Sequence, residues 1–167
     1  MPYEVSSTLN YEEYKKMALT SYVSMQKGSM TVLIVIEFLC IAFAVLGLVF
    51  GIGRRGPAMI MLIAAVAFPI ILWVMLNLKL KRVYNSTKMV HDLTCNYRFF
   101  EDHGESNTIN GTSTFAYKDL YRVIETKTNF YLFIGQNQAF NVIKSDCSNE
   151  LIGFLRQIKE RVNGAKR

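Results

Sequence analysis

Two apolar runs separated by a four-residue turn constrain this chain more than any other feature. The first extends from Met30 to Ile52 and the second from Pro57 to Leu78, with Gly53-Arg54-Arg55-Gly56 between them. Each is about 22 residues long, and an α-helix needs about 20 apolar residues to cross the hydrocarbon core of a bilayer. Glu37 is the one charged residue within the two runs. Lipid offers the backbone no hydrogen-bond partner, so both runs must be helical. The reading is a two-helix transmembrane hairpin over residues 30–78, with spans 30–52 and 57–78 in the lipid bilayer.

The flanks set its direction. Lys15, Lys16 and Lys27 precede the first span, and Lys79, Lys81, Arg82 and Lys88 follow the second. Two spans return the chain, so these seven cations share one side, against Arg54 and Arg55 in the turn. The positive-inside bias then places both termini in the cytoplasm of a multi-pass cell-membrane protein. Asn85-Ser86-Thr87 and Asn110-Gly111-Thr112 match the glycosylation sequon and are read as chance on that side. Of the net charge of +6, the first 93 residues hold nine cations against five acids. A basic surplus beside the membrane suits anionic headgroups. No aromatic-basic stripe suggests nucleic acid. Cys40, Cys95 and Cys147 form no disulfide framework and are read as reduced fillers. The polar, acidic start shows no cleavable signal pattern.

Residues 1–29 hold a short alternating strand, Tyr3–Leu9, and a juxtamembrane helix opened by Asn10. Glu13 follows three residues later, as in a capping box. Tyr11, Tyr14 and Tyr22 are placed to anchor at the interface. Residues 79–93 extend the second span's helix to about Val90. From 94 to 167 the period changes. Short strands are expected at 95–101, 105–109, 112–116, 121–126, 129–135 and 139–144, with Asn110-Gly111 as a strong hairpin turn. This spacing indicates a small antiparallel β barrel or sandwich. Asp146 or Ser148 then caps a helix to about Val162. Its stripe of Leu151, Ile152, Leu155, Ile158 and Val162 suits it to cap one open end. The fold class is α+β.

Phe99-Phe100-Glu101-Asp102, then the run from Phe115 to Thr126 with its Val123-Ile124-Glu125-Thr126 stretch, then Asn129-Phe130-Tyr131-Leu132-Phe133-Ile134, Lys144 and the last helix resemble the bacterial YcxB-like family. Thr8-Leu9-Asn10-Tyr11-Glu12-Glu13-Tyr14 is similar to its N-terminal signature. Tyr117 departs from the Trp often found there. The resemblance implies a pleckstrin-homology-like (PH-like) tail on a membrane hairpin, and no established reaction. Six strands leave such a barrel one short of seven. Tyr3–Leu9 is expected to supply the missing strand, because both ends of the hairpin emerge on one face.

Glu37 lies roughly 10 Å below the cytoplasmic edge at 1.5 Å per residue. Intramembrane charges are functional candidates by default. Folding the hairpin about its turn sets Glu37 opposite Leu72 and Trp73, so a Glu37–Trp73 polar pair is expected rather than proton or ligand work. Gly47 and Gly51 form a small-xxx-small pair. It either admits the second span near Ala58, Leu62 and Ala65, the favoured reading, or builds a homo-oligomer face. Lys79, Lys81, Arg82 and Lys88 are candidate lipid-headgroup contacts. Asp119 and Glu125 are explained by a corner-turn cap and a solvated strand position as well as by catalysis. His91 and His103 lack the converging ligands zinc needs. No phosphate loop, nucleophile elbow or zincin run occurs, so no catalytic residue, metal or cofactor is assigned. The expected role is non-enzymatic: a membrane-tethered module presenting a sheet edge or barrel mouth to a protein, or weakly to anionic lipid. The alternative is an immunity or stress protein whose hairpin engages another membrane protein.

Overall fold

The computed structural model describes residues 2–50, 55–87, 91–136 and 138–164. The chain divides into two compact units, Met1–Ser21 with Tyr84–Arg167, and Tyr22–Val83. The first unit is therefore discontinuous in sequence.

In that unit, β1 (Tyr3–Leu9), β2 (Leu93–Phe99), β3 (His103–Thr108) and β4 (Gly111–Ala116) form one antiparallel sheet in the order of their numbers. β1 pairs with β2 along its full length, from Tyr3 opposite Phe99 to Leu9 opposite Leu93. The N-terminal segment thus supplies the expected additional strand, although more than eighty residues separate it from its partner. Alternation fixes the register: Val5, Cys95, Tyr97, Phe99 and Phe115 point into the core, and their neighbours point out. A one-residue slip would bring the polar set inside. Gly104 faces Phe115 across β3 and β4, and a Cβ there would run into the Phe115 ring. That ring is held by stacking on Phe140 at 4.4 Å.

β5 (Arg122–Glu125), β6 (Asn129–Phe133) and β7 (Ala139–Ile143) form a second antiparallel sheet. α4 (Asn149–Gly164) completes the core with Leu151, Leu155, Ile158 and Val162. Ser148 caps it, its Oγ accepting from the Leu151 N–H at 3.2 Å. The sheets do not close into a barrel; they form a sandwich. They meet at Ser7, whose Oγ accepts from the Ile143 N–H at 3.1 Å and donates to Asp146 Oδ2 at 3.4 Å.

Every residue of β6 is buried. Phe130 and Leu132 face the core. Asn129 and Tyr131 lie on the opposite face, where Glu13 of α1 (Tyr11–Met25) meets Asn129. A strand covered on both sides reads as a continuous apolar run, as Phe-Tyr-Leu-Phe does here.

The second unit contains α2 (Lys27–Phe50) and most of α3 (Arg55–Ser86). Gly28–Phe50 and Gly56–Ser86 are each long and apolar enough to cross a membrane. Most of their side chains are exposed, Phe38 to 71 % and Phe43 to 69 %. Apart from Ala42, the less exposed residues of α2 are Met30, Glu37, Cys40, Ile41, Ala44, Gly47 and Leu48. They recur at intervals of three, four and seven along one face, the spacing of a helix–helix seam. Ala58, Leu62 and Ala65 of α3 are likewise half-buried. α3 ends at Ser86, short of the expected Val90.

Candidate functional site

Three clusters of polar and aromatic side chains lie in the β unit, whose first sheet also carries one polar surface. The densest cluster centres on Glu125 at the end of β5. Its Oε1 accepts from Lys144 Nζ at 2.8 Å and Arg156 Nε at 3.0 Å, and its Oε2 from Lys159 Nζ at 2.7 Å. The side chain is only 15 % exposed. Burial acts to raise its pKa, but hydrogen bonds from Lys144, Lys159 and Arg156 override this and hold the carboxyl at about 2. Lys144 Nζ also donates to the Thr126 carbonyl at 2.6 Å and sits 4.8 Å from the Phe130 ring centre. The knot ties β5 to α4 and to the turn after β7. The expectation that Glu125 is a solvated strand position is corrected: its partners lie 19, 31 and 34 residues further along the chain and converge only in the fold.

A second cluster joins α1 to the outer face of the second sheet. Asn10 caps the helix as read, its Oδ1 accepting from the Glu13 N–H at 2.9 Å. The Glu13 carboxylate accepts from Asn129 Nδ2 at 2.5 Å and Lys16 Nζ at 2.7 Å, so it serves more than the capping box. Asn129 Nδ2 also donates to Asn141 Oδ1 at 2.8 Å. Burial pushes the Glu13 pKa up; the bonds from Lys16 and Asn129 outweigh it, and the net shift is downward. Burial, then the nearby Glu13 charge, pushes the Tyr131 hydroxyl up to about 12, against a hydrogen bond with Thr20.

The third cluster surrounds Tyr84 in the last turn of α3. Tyr11 and Tyr14 approach its ring at 5.4 Å each, and His91 stacks on it at 4.5 Å. His91 Nε2 lies 2.9 Å from the Tyr84 carbonyl, and the Asp92 N–H donates to the Tyr84 hydroxyl at 3.3 Å. Tyr11 and Tyr14, read from sequence as interfacial anchors, help close this unit. His103 contacts exposed Asp102 at 2.6 Å, far from His91 in the sequence.

The outward face of the first sheet is almost entirely polar. Glu4, Arg98, Glu105 and Thr114 lie in one cross-strand row, and Ser6, Asn96, Asn107 and Thr112 in the next. Arg98 pairs with Glu4 at 3.0 Å. A shallow depression runs along this face.

The residues singled out from the sequence fall mainly in the apolar unit. Glu37 lies on the less exposed seam of α2, whereas Trp73 is 66 % exposed. No hydrogen bond joins these two among the described residues; the Trp73 carbonyl accepts from Asn77 Nδ2 at 2.7 Å. Gly47 lies on the same seam as Glu37. Lys79, Lys81 and Arg82 are exposed on α3. Gly51 and Lys88 lie outside the described residues.

These elements define an α+β protein: a pair of helices long and apolar enough to cross a membrane, with an antiparallel β sandwich built from both flanks. The sequence profile of the family described as YcxB-like protein matches residues 99–158, from the end of β2 into α4. The resemblance read from the sequence is borne out over that segment, which contains Glu125, Lys144 and Arg156. Comparison with curated proteins and with solved structures returns no match.

Proposed function

We propose that this chain is a membrane-tethered, non-enzymatic interaction module. Its β unit, PH-like in having a four-stranded sheet, a three-stranded sheet and a C-terminal helix, works in the cytoplasm beside the bilayer. One observation carries this reading: β1 precedes the two apolar helices and β2 follows them, yet they are full-length partners in one sheet. A sheet built from both flanks requires both flanks on the same side. The seven flanking cations then make that side cytoplasmic. The gathered polar groups, Glu125 with three cations and Glu13 with the Asn129 amide, are engaged in joining elements. What the unit presents outward is its polar sheet face and its strand edges.

Lys79, Lys81 and Arg82 act in this reading as a general collar on anionic headgroups, each contributing on the order of 1 kcal/mol near the surface, screened by salt. Reporter fusions at residue 1, in the turn near residue 54 and after residue 167 test the topology. Cytoplasmic signals at both ends and an external signal at the turn are expected. An exported C-terminal reporter overturns the assignment of the β unit to the cytoplasm.

A further inference from the structure

A strand edge offers unpaired N–H and C=O groups, and folded proteins generally cover or guard it. This β unit has four such edges. β1 and β7 are brought together by Ser7, which takes the Ile143 N–H. The β5 edge is occupied by Asn163 of α4. Its Oδ1 accepts from the Val123 N–H at 3.2 Å and its Nδ2 donates to the Val123 carbonyl at 2.8 Å. β4 is different. Its first four residues are exposed, and its sequence, Gly-Thr-Ser-Thr-Phe-Ala, carries no charge and no proline. Among the described residues, no backbone hydrogen bond reaches Thr112, Thr114 or Ala116 from beyond the β3–β4 ladder.

The direction of these groups follows from the ladder. The Tyr117 N–H donates to the Asp102 carbonyl at 3.2 Å, so this is a hydrogen-bonded position of the antiparallel pair. Such positions alternate along the strands. Gly111, Ser113 and Phe115 therefore turn their backbone groups toward β3. Thr112, Thr114 and Ala116 turn theirs outward.

We propose that the β4 edge is a self-association site that takes β4 of a second copy, antiparallel, about a two-fold axis at Thr114. This rests on the interaction-module reading and names its edge and its partner. An antiparallel strand pair is self-complementary, as a two-fold interface must be. Thr114 meets Thr114 of the second copy, and Thr112 meets its Ala116. The outward backbone groups of these residues pair, giving one continuous eight-stranded sheet. Thr–Thr is a favourable cross-strand pair. The electrostatics also permit it. The nearest like charges brought into line are the two Glu105 side chains, three strand spacings apart, or about 14 Å. That exceeds the Debye length of about 8 Å at physiological salt. Two spans would hold both copies in one plane and one orientation, raising their effective concentration.

The test uses the full chain in detergent or nanodiscs. Light scattering should show a dimer for the wild type. Thr114→Pro should lower the dimer fraction at least about tenfold. Its thermal midpoint should hold, because the lost N–H points away from β3 and edge strands tolerate proline there. In membranes under mild oxidant, Thr114→Cys should give a cross-linked dimer at least about ten times faster than Thr8→Cys at the opposite edge of the sheet. A wild type that stays monomeric, or equal cross-linking at both positions, overturns the proposal. So does a dimer that survives Thr114→Pro, which would place the contact in the spans. A monomer whose β4 edge is protected by an extended peptide of another protein also overturns it, while leaving the interaction-module reading intact. Failure of that reading shows instead in the topology reporters.

Discussion

Glu125 is the residue on which three cations of the β unit converge. Removing it leaves Lys144, which is itself largely buried, beside Phe130 without its carboxylate. Breaking a fully buried pair costs about 3–5 kcal/mol. Arg156 is more than half exposed and its share is screened by water, so Glu125→Ala should cost about 2 kcal/mol in denaturant unfolding. The pH dependence has a definite sign. The folded carboxyl titrates at about 2 and the unfolded one near 4.5. Between these values the unfolded state binds more protons, so stability is complete above about pH 5 and falls as pH drops through the window. Glu125→Gln should flatten that acid limb; an unchanged limb would show that the knot does not titrate with folding. Glu37 is read as a packing residue. Glu37→Gln keeps its shape and hydrogen-bonding capacity, so it should insert and unfold like the wild type. A Gln variant that inserts normally but loses its cellular role would point to proton linkage.

At the scale of elements, α1 is held to the second sheet by a polar contact. Glu13→Gln retains an oxygen for Asn129 and loses mainly the surface pair with Lys16, so it should cost less than about 1 kcal/mol. Glu13→Val leaves the buried Asn129 amide one acceptor short and should cost about 1–3 kcal/mol. Equal losses would mean that apolar contacts, not this bond, dock the helix. This contact also marks how far the sequence was legible. The two apolar helices follow from length and composition alone, because bilayer thickness sets both. Strand boundaries in the β unit came within about two residues, because turn residues such as Asn110-Gly111 act locally. Glu13 was legible as a cap, since its cap partner lies three residues away. Its docking role was not, since Asn129 lies 116 residues away. The same holds for Glu125, and for the outer face of β6, whose apolar run gives no sign of which helix covers it.

At the scale of the whole molecule, the first strand and the remaining six lie on opposite sides of the apolar helices in sequence, yet β1 joins β2, β3 and β4 in one sheet in space. The β unit is incomplete until the second apolar helix has been made and β2 has followed it. Thr8 and Thr94 test this arrangement most directly. They are register partners on β1 and β2, with hydroxyl oxygens 3.1 Å apart. Cross-strand partners fall within the Cα separation a disulfide spans. In the full chain, in native membranes under mild oxidant, Thr8→Cys combined with Thr94→Cys should form an intrachain disulfide that neither single substitution gives. A double variant that inserts into the membrane yet keeps both thiols free would contradict the split sheet, and with it the placement of both flanks on one side.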